Sequence, residues 1–301
     1  MIEKGKILIT GSNGLLGQAV SSVFSRESDF RLLLTSFEDK PFLDVKSKYR
    51  KLDITNKEDV KRIASEFKPD VIINCAAFTD VDRCESEREA CWKLNVDAVK
   101  NLIIASRINN SKIIHISTDY IFDGKNGPYD ELRTPNPVSF YGRSKLAGEN
   151  ALTLSGVNYA ILRTIVLYGF GKMVKPNFAL WLIDKLKNNE PVNIVTDQTG
   201  NATISDDLAY AILKVTENDF KGIYNIAGKD IISRYDFAMN VCEVFGFNKA
   251  LVHPILTSDL NQPAPRPLKS GLITLKAESE LGINFMDSKE GLQVLKYQLG
   301  E

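Results

Sequence analysis

Cysteine is scarce in this chain of 301 residues, with four in all. None forms a CxxC pair or stands near a histidine at metal-ligating spacing. Cys75, Cys84, Cys91 and Cys242 therefore exclude a disulfide scaffold and a zinc module, and they read as reduced thiols in a cytoplasmic protein. Net charge is absent as well, because 38 Lys and Arg balance 38 Asp and Glu. That balance excludes a broad nucleic-acid or anionic-membrane face as the main partner surface. No apolar run approaches the roughly 18 residues of a membrane span. No signal-peptide layout opens the chain, and there is no internal repeat or low-complexity segment. The scattered acids read as solvated surface, so no metal site is expected. What remains is 44% hydrophobic and 25% charged, which suits a globular protein of one large or two modest domains.

The first half alternates short apolar runs with amphipathic stretches. Lys6-Ile7-Leu8-Ile9-Thr10, Arg31 to Thr35, Val71 to Asn74, Lys112 to Ser117 and Tyr159 to Arg163 read as strands. A further strand closes at Asp53. Gly14 to Phe24, Asn56 to Phe67, Glu87 to Ile108 and Phe140 to Leu154 read as helices. Strands apolar on both faces, separated by helices, predict a doubly wound parallel sheet of the Rossmann type. After Arg163 the rhythm loosens. Helices are expected over Asn177 to Lys187, Ser205 to Glu217 and Ser233 to Phe245, the last with Ser233 as N-cap and Gly246 as stop. The run from Gln262 to Pro267 is proline-dense and must be an extended loop. The expected division is a dinucleotide-binding domain, 1–164 plus about 204–230, and a smaller α/β substrate-binding domain, 165–203 and 231–301.

Gly11-Ser12-Asn13-Gly14-Leu15-Leu16-Gly17 lies between the first strand and the first helix. Glycine at 11 permits a tight turn, at 14 lets backbone N–H groups approach a pyrophosphate, and at 17 lets helix and strand pack closely. The helix N-terminus adds partial positive charge. An NAD site usually places an acid about 20 residues on, at the end of the second strand. Here Thr35-Ser36 stands there and the first acid is Glu38. No arginine takes its place, so both NADP and NAD stay open, with NADPH slightly favoured. Asp53 is either an adenine contact or a turn aspartate.

Tyr141 and Lys145 are four residues apart, hence on one helix face. They follow a strand ending in the hydroxyls of Ser117 and Thr118. Reducing a ketone needs a hydride and a proton. A tyrosine of free pKa about 10 becomes a useful acid–base group beside an ammonium, and a hydroxyl can orient the carbonyl. Trp92 and Trp181 fall on helical apolar faces and are expected in the core. His115 is expected as a buried packing residue.

Several segments, spread from Gly11 to Ser270, resemble the dTDP-4-dehydrorhamnose reductase family of extended short-chain dehydrogenases/reductases. Asn74-Cys75-Ala76-Ala77-Phe78-Thr79-Asp80-Val81-Asp82 is similar to its NAAAxTxVD segment, with Cys75 for an alanine. Ser117-Thr118-Asp119-Tyr120-Ile121-Phe122-Asp123-Gly124 resembles STDYVFDG, and Tyr141 to Glu149 resembles YGxxKLxGE. Asp197-Gln198-Thr199-Gly200-Asn201-Ala202-Thr203 resembles DQxGxPT, and Arg266-Pro267 with Ser270 resembles RPxxS. The resemblance implies Thr118, Tyr141 and Lys145 as catalytic residues. It implies a cofactor site of Gly11, Asn13, Gly14, Leu15, Leu16, Gly17, Ser36, Asp53, Ile54, Ala76, Ala77 and Thr79, with Tyr141 and Lys145. It implies substrate contacts from Asp119, Tyr120, Asn177, Gln198 and Arg266, although Asn177 reads equally well as a helix opener. The substrate would be a small-molecule nucleotide-sugar and the assembly a homodimer. Val166 stands where well-known bacterial members place a tryptophan. The β subunit of methionine adenosyltransferase, a binding rather than catalytic relative, shares that departure and is the rival expectation.

Overall fold

A computed structural model describes residues 5–301. Seven strands form one sheet: β1 (Lys6–Thr10), β2 (Arg31–Ser36), β3 (Lys48–Lys51), β4 (Val71–Asn74), β5 (Lys112–Thr118), β6 (Tyr159–Thr164) and, after a long excursion, Gly222–Asn225. Every pairing is parallel. The excursion carries the short strands β7 (Leu167–Tyr168), β8 (Val192–Val195), β9 (Thr199–Gly200) and β10 (Thr203–Ile204), so Gly222–Asn225 is β11. The order β11-β6-β5-β4-β1-β2-β3 winds outward in both directions from the β1/β4 boundary. Ligands of such sheets bind in the crevice at that boundary, beyond the carboxyl ends of the strands.

Strand alternation explains the two layers. Ile7 and Ile9 face the side covered by α1 (Leu15–Glu27), while Leu8 faces the side covered by α2 (Lys57–Phe67). Each is fully buried, contributing about 1.5–3 kcal/mol. The α2 start is fixed by Asn56, whose side chain accepts from the Glu58 and Asp59 N–H groups at 3.1 and 3.3 Å.

The expected long helix from Glu87 is broken. It follows α3 (Arg83–Ser86) and runs as α4 (Arg88–Trp92), a π-helical turn over Lys93–Asp97, and α5 (Ala98–Asn109). The third strand ends at Lys51, so Asp53 is a turn residue whose carboxylate accepts from Thr55 N and Oγ1 at 2.9 and 2.8 Å. Next comes α6 (Phe140–Thr153), opened by Ser139, which accepts from Gly142 N at 3.1 Å.

A separate apolar core joins α7 (Phe178–Lys187), α9 (Arg234–Phe245) and α11 (Ser288–Leu299) through Leu182, Phe237, Val241 and Leu292. Ser233 and Asp236 cap α9 reciprocally and Gly246 ends it at φ 77°. Helix α8 (Ser205–Glu217) returns to the sheet beside α1. Helix α10 (Leu275–Leu281) joins the same layer, with Ala277, Leu281, Ile283 and Phe285 in the sheet core. The strands β12 (Ile232–Ser233) and β13 (Val252–Ile255) complete small pairs with β9 and β8. Among the described residues no helix is long and apolar enough to cross a membrane.

Candidate active site

The glycine turn leaves β1 at the boundary. Gly11 has φ 67°, and a Cβ there would lie 2.7 Å from Ala76 N. A Cβ on Gly17 would lie 2.1 Å from the Gly11 carbonyl oxygen, and Gly14 N donates to that oxygen at 3.0 Å. Gly14 caps α1, Leu15 begins it, and Leu16 anchors it in the core. Ser12 Oγ is buried with no partner among the described residues, as are Ser117 Oγ and Thr164 Oγ1 at the ends of β5 and β6. Buried hydroxyls rarely go unpaired. A turn with glycine at its points of close approach and three orphaned hydroxyls at the carboxyl ends of the strands fit a bound dinucleotide.

The neighbouring edge is built by Asn74. Its Oδ1 accepts from Thr10 Oγ1 at 2.7 Å and from Ala76 N at 3.2 Å. Its amide must therefore donate to His115 Nδ1, 3.1 Å away, which leaves the imidazole proton on Nε2. Burial holds His115 neutral, with its pKa well below the ordinary value. Ala76 and Ala77 are half-buried and Thr79 is exposed in the segment that follows, while Ile54 is buried in the core.

Tyr141 and Lys145 lie on α6 and are 8% and 2% exposed. The Tyr141 side chain lies close enough to Thr118 for that hydroxyl to act on its pKa, so two of the expected trio meet, and Lys145 shares the helix. Lys145 Nζ donates to the Ile116 carbonyl at 2.7 Å. Burial pushes the Tyr141 phenol well above its usual range, against the lowering effect of Thr118. Burial also lowers Lys145 to about 8, opposed by Glu149. Burial is the largest effect on each of the two groups.

Asn95, in the π-helical turn, supports this face and carried no signal in the sequence. Its amide donates to Ser144 Oγ at 2.9 Å and to the Phe78 carbonyl at 3.1 Å, and its Oδ1 accepts from Phe78 N at 2.8 Å. Only the break in helical periodicity, visible in three dimensions, marks it.

Asp119 is buried between two hydroxyls, accepting from Ser270 Oγ at 2.7 Å and Thr118 Oγ1 at 3.1 Å. Burial pushes its pKa up to about 6. Beside it a narrow cleft of about 30 Å³ is lined by Asp119, Tyr120, Ser270, Val166, Ala202 and Phe237. Val166 holds φ 45°, a strained conformation for a β-branched residue. A wider cleft of about 610 Å³ adjoins the first, sharing Tyr120, Gln198 and Arg234 and adding Phe178, Trp181 and Arg266.

Trp181 is 38% exposed and stacks on Phe178, 6.0 Å between centroids. Trp92 is 39% exposed. Neither is a core residue, because each apolar helix face ends at an open edge. Asn177 caps α7, accepting from Leu180 N and donating to the Gly169 carbonyl, so both ends of its amide are used within the fold. Gln198 donates to Thr257 Oγ1 at 3.1 Å. Arg266 pairs with Asp82 at 2.8 Å. Arg234, which the sequence did not single out, lies over the Phe178 ring at 4.9 Å. No carboxylate among the described residues lies within ion-pair distance of it, and burial lowers its pKa.

The comparisons agree with this geometry. The family model described as the RmlD substrate binding domain matches residues 5–299. The dTDP-4-dehydrorhamnose reductase of Aggregatibacter actinomycetemcomitans is 34% identical, covering 97% of this chain and 98% of its own length. The Xenopus laevis methionine adenosyltransferase 2 subunit beta is 32% identical over 94% of this chain and 84% of its own. The crystal structure of the Bacillus anthracis dTDP-4-dehydrorhamnose reductase in complex with NADP superposes with a TM-score of 0.86 at 31% identity, covering 98% of this chain and 99% of that one. The chain belongs to the dTDP-4-dehydrorhamnose reductase family, within the extended short-chain dehydrogenase/reductase fold.

Proposed function

We propose that this protein uses NADPH or NADH to reduce the ketone of a nucleotide-linked 4-keto-6-deoxysugar, dTDP-4-dehydro-L-rhamnose, to dTDP-L-rhamnose. The observation that carries the reading is buried Tyr141, on the helix that also bears Lys145, beside Thr118 at the end of β5 and against the ring of Tyr120, which lines the substrate cleft. The nicotinamide supplies the hydride. Tyr141 holds the proton that the carbonyl oxygen takes up, and its raised pKa keeps that proton in place at neutral pH. Thr118 orients the oxygen. Lys145, at about 8, is mostly an ammonium at pH 7 and favours departure of the phenolic proton as charge develops. Arg234 and Arg266 face the nucleotide diphosphate, Trp181 offers a stacking face to the base, and Asp119, Tyr120 and Gln198 contact the sugar end.

The reading assigns 1–164 with about 204–230 to the cofactor and 165–203 with 231–301 to the substrate, although 275–285 pack on the cofactor side. It places the enzyme in the cytoplasm, consistent with four free thiols, with assembly as a homodimer to be read by light scattering.

The test is oxidation of NADPH and NADH against a panel of dTDP-, GDP- and UDP-linked 4-keto sugars. Turnover that depends on a dTDP-4-keto sugar supports the reading. Tight dinucleotide binding with no ketone-dependent oxidation supports the rival, a binding subunit, which the likeness to the Xenopus protein favours.

A further inference from the structure

Strand β2 ends at Ser36, a hydroxyl where an acid is usual in NAD sites, yet the chain beyond it turns back. Asn13, within the glycine turn, holds this loop at three points. Its Nδ2 donates to Glu38 Oε2 at 3.1 Å and to the Lys40 carbonyl at 2.9 Å, and its Oδ1 accepts from Phe42 N at 3.0 Å. Ser36 Oγ donates to the same Glu38 Oε2. Tyr49 Oη fixes the backbone by donating to the Glu38 carbonyl at 2.6 Å. The carboxylate therefore stands between the glycine turn and the end of β2, where a parallel sheet receives the adenosine ribose. Two donors hold Oε2, Oε1 takes none among the described residues, and the residue is exposed. Burial acts to raise its pKa. The hydrogen bonds from Ser36, its own backbone and Asn13 prevail, and the group stays ionised.

Of the cations near this loop, two are engaged, while Lys40, two residues beyond Glu38, forms no ion pair among the described residues. Lys51 pairs with Asp39 at 2.9 Å and lies 5.6 Å from the Phe37 ring centroid, and Arg50 pairs with Glu66.

We propose that Glu38, aimed by Asn13 and Ser36, receives the adenosine ribose hydroxyls of NADH and opposes the 2′-phosphate of NADPH, so that it sets the ratio in which the two dinucleotides are accepted. Asn13 is then a positioning residue, its side chain spent on the loop rather than on phosphate. The inference rests on the reading that the glycine turn binds a dinucleotide, and binding measurements separate the two.

Dissociation constants are measured by calorimetry for NADH, NADPH, ADP-ribose and 2′-phospho-ADP-ribose, with the wild type, Glu38→Gln and Asn13→Ala. Glu38→Gln, on an exposed side chain, should shift the affinity ratio toward the phosphorylated ligands by about tenfold, equivalent to about 1.4 kcal/mol. Asn13→Ala should shift it the same way by less. A Glu38→Gln ratio equal to wild type, with all four ligands bound, overturns the role of Glu38 and leaves the dinucleotide site standing. Failure of the wild type to bind any of them overturns both.

Discussion

The cofactor half and the substrate half are built by opposite strategies. In the first, the main features are local: the turn from Gly11 to Gly17 joins one strand to one helix, and Tyr141 and Lys145 share one helix. In the second, the cleft gathers Asp119, Val166, Gln198, Arg234 and Ser270 from five separate segments, joined by two-residue strands and single hydrogen bonds such as Ser270 to Asp119. Chemistry that tolerates no change of geometry sits on rigid elements. Recognition of a variable ligand sits on short connections that can be re-cut without disturbing the sheet.

Substitutions on either side sharpen that contrast. The largest effect belongs to Tyr141→Phe, which should lower kcat by about 10²–10⁴-fold, the range of general acid catalysis, while the dinucleotide dissociation constant stays at its wild-type value. Gly17→Ala places a Cβ 2.1 Å from the Gly11 oxygen. It should cost about 1–3 kcal/mol of stability and abolish dinucleotide binding, as read by thermal denaturation and calorimetry.

On the substrate side, Arg234→Met should raise KM for the nucleotide-sugar about 10–100-fold, the worth of one or two charge-assisted hydrogen bonds, with kcat much less affected. A comparable loss in kcat would move Arg234 from recognition to chemistry.

The smallest effect is a pH slope. Asp119 has a folded-state pKa of about 6 against an ordinary 3.8, so between those values the folded state binds more protons than the unfolded one. Stability then falls as pH rises from about 4 to about 6. Asp207, likewise raised to about 6, acts in the same window. Asp119→Asn should therefore flatten part of the slope in denaturant titrations from pH 4 to 7, and a slope identical to wild type would place the Asp119 shift in doubt.

The same contrast explains what was legible in the sequence. The strands from β1 to β6, the glycine turn and the Tyr141–Lys145 pair were readable because period and spacing encode them within one or two elements. Ser233 and Gly246 marked the ends of α9 because capping is equally local. The sequence shows Glu38 only as the first acid after β2, because its placement depends on Asn13, 25 residues earlier, folding the loop back. Arg234 looks like any residue in the first turn of a helix until β12 and α9 carry it to the cleft. Trp181 has apolar helical spacing and still faces the open cleft, because periodicity shows which face is apolar and not what covers it.

The central claim is that hydride reaches a sugar carbonyl in the cleft beside Thr118 and Tyr141. Its most direct test supplies NADPH deuterated at the nicotinamide C4 position together with dTDP-4-dehydro-L-rhamnose, and reads the product by NMR. The account predicts deuterium on C4 of the sugar in the wild type and none above background in Tyr141→Phe over the same interval. A wild-type protein that binds the labelled dinucleotide and returns it unoxidised, with no label in the sugar, would contradict it.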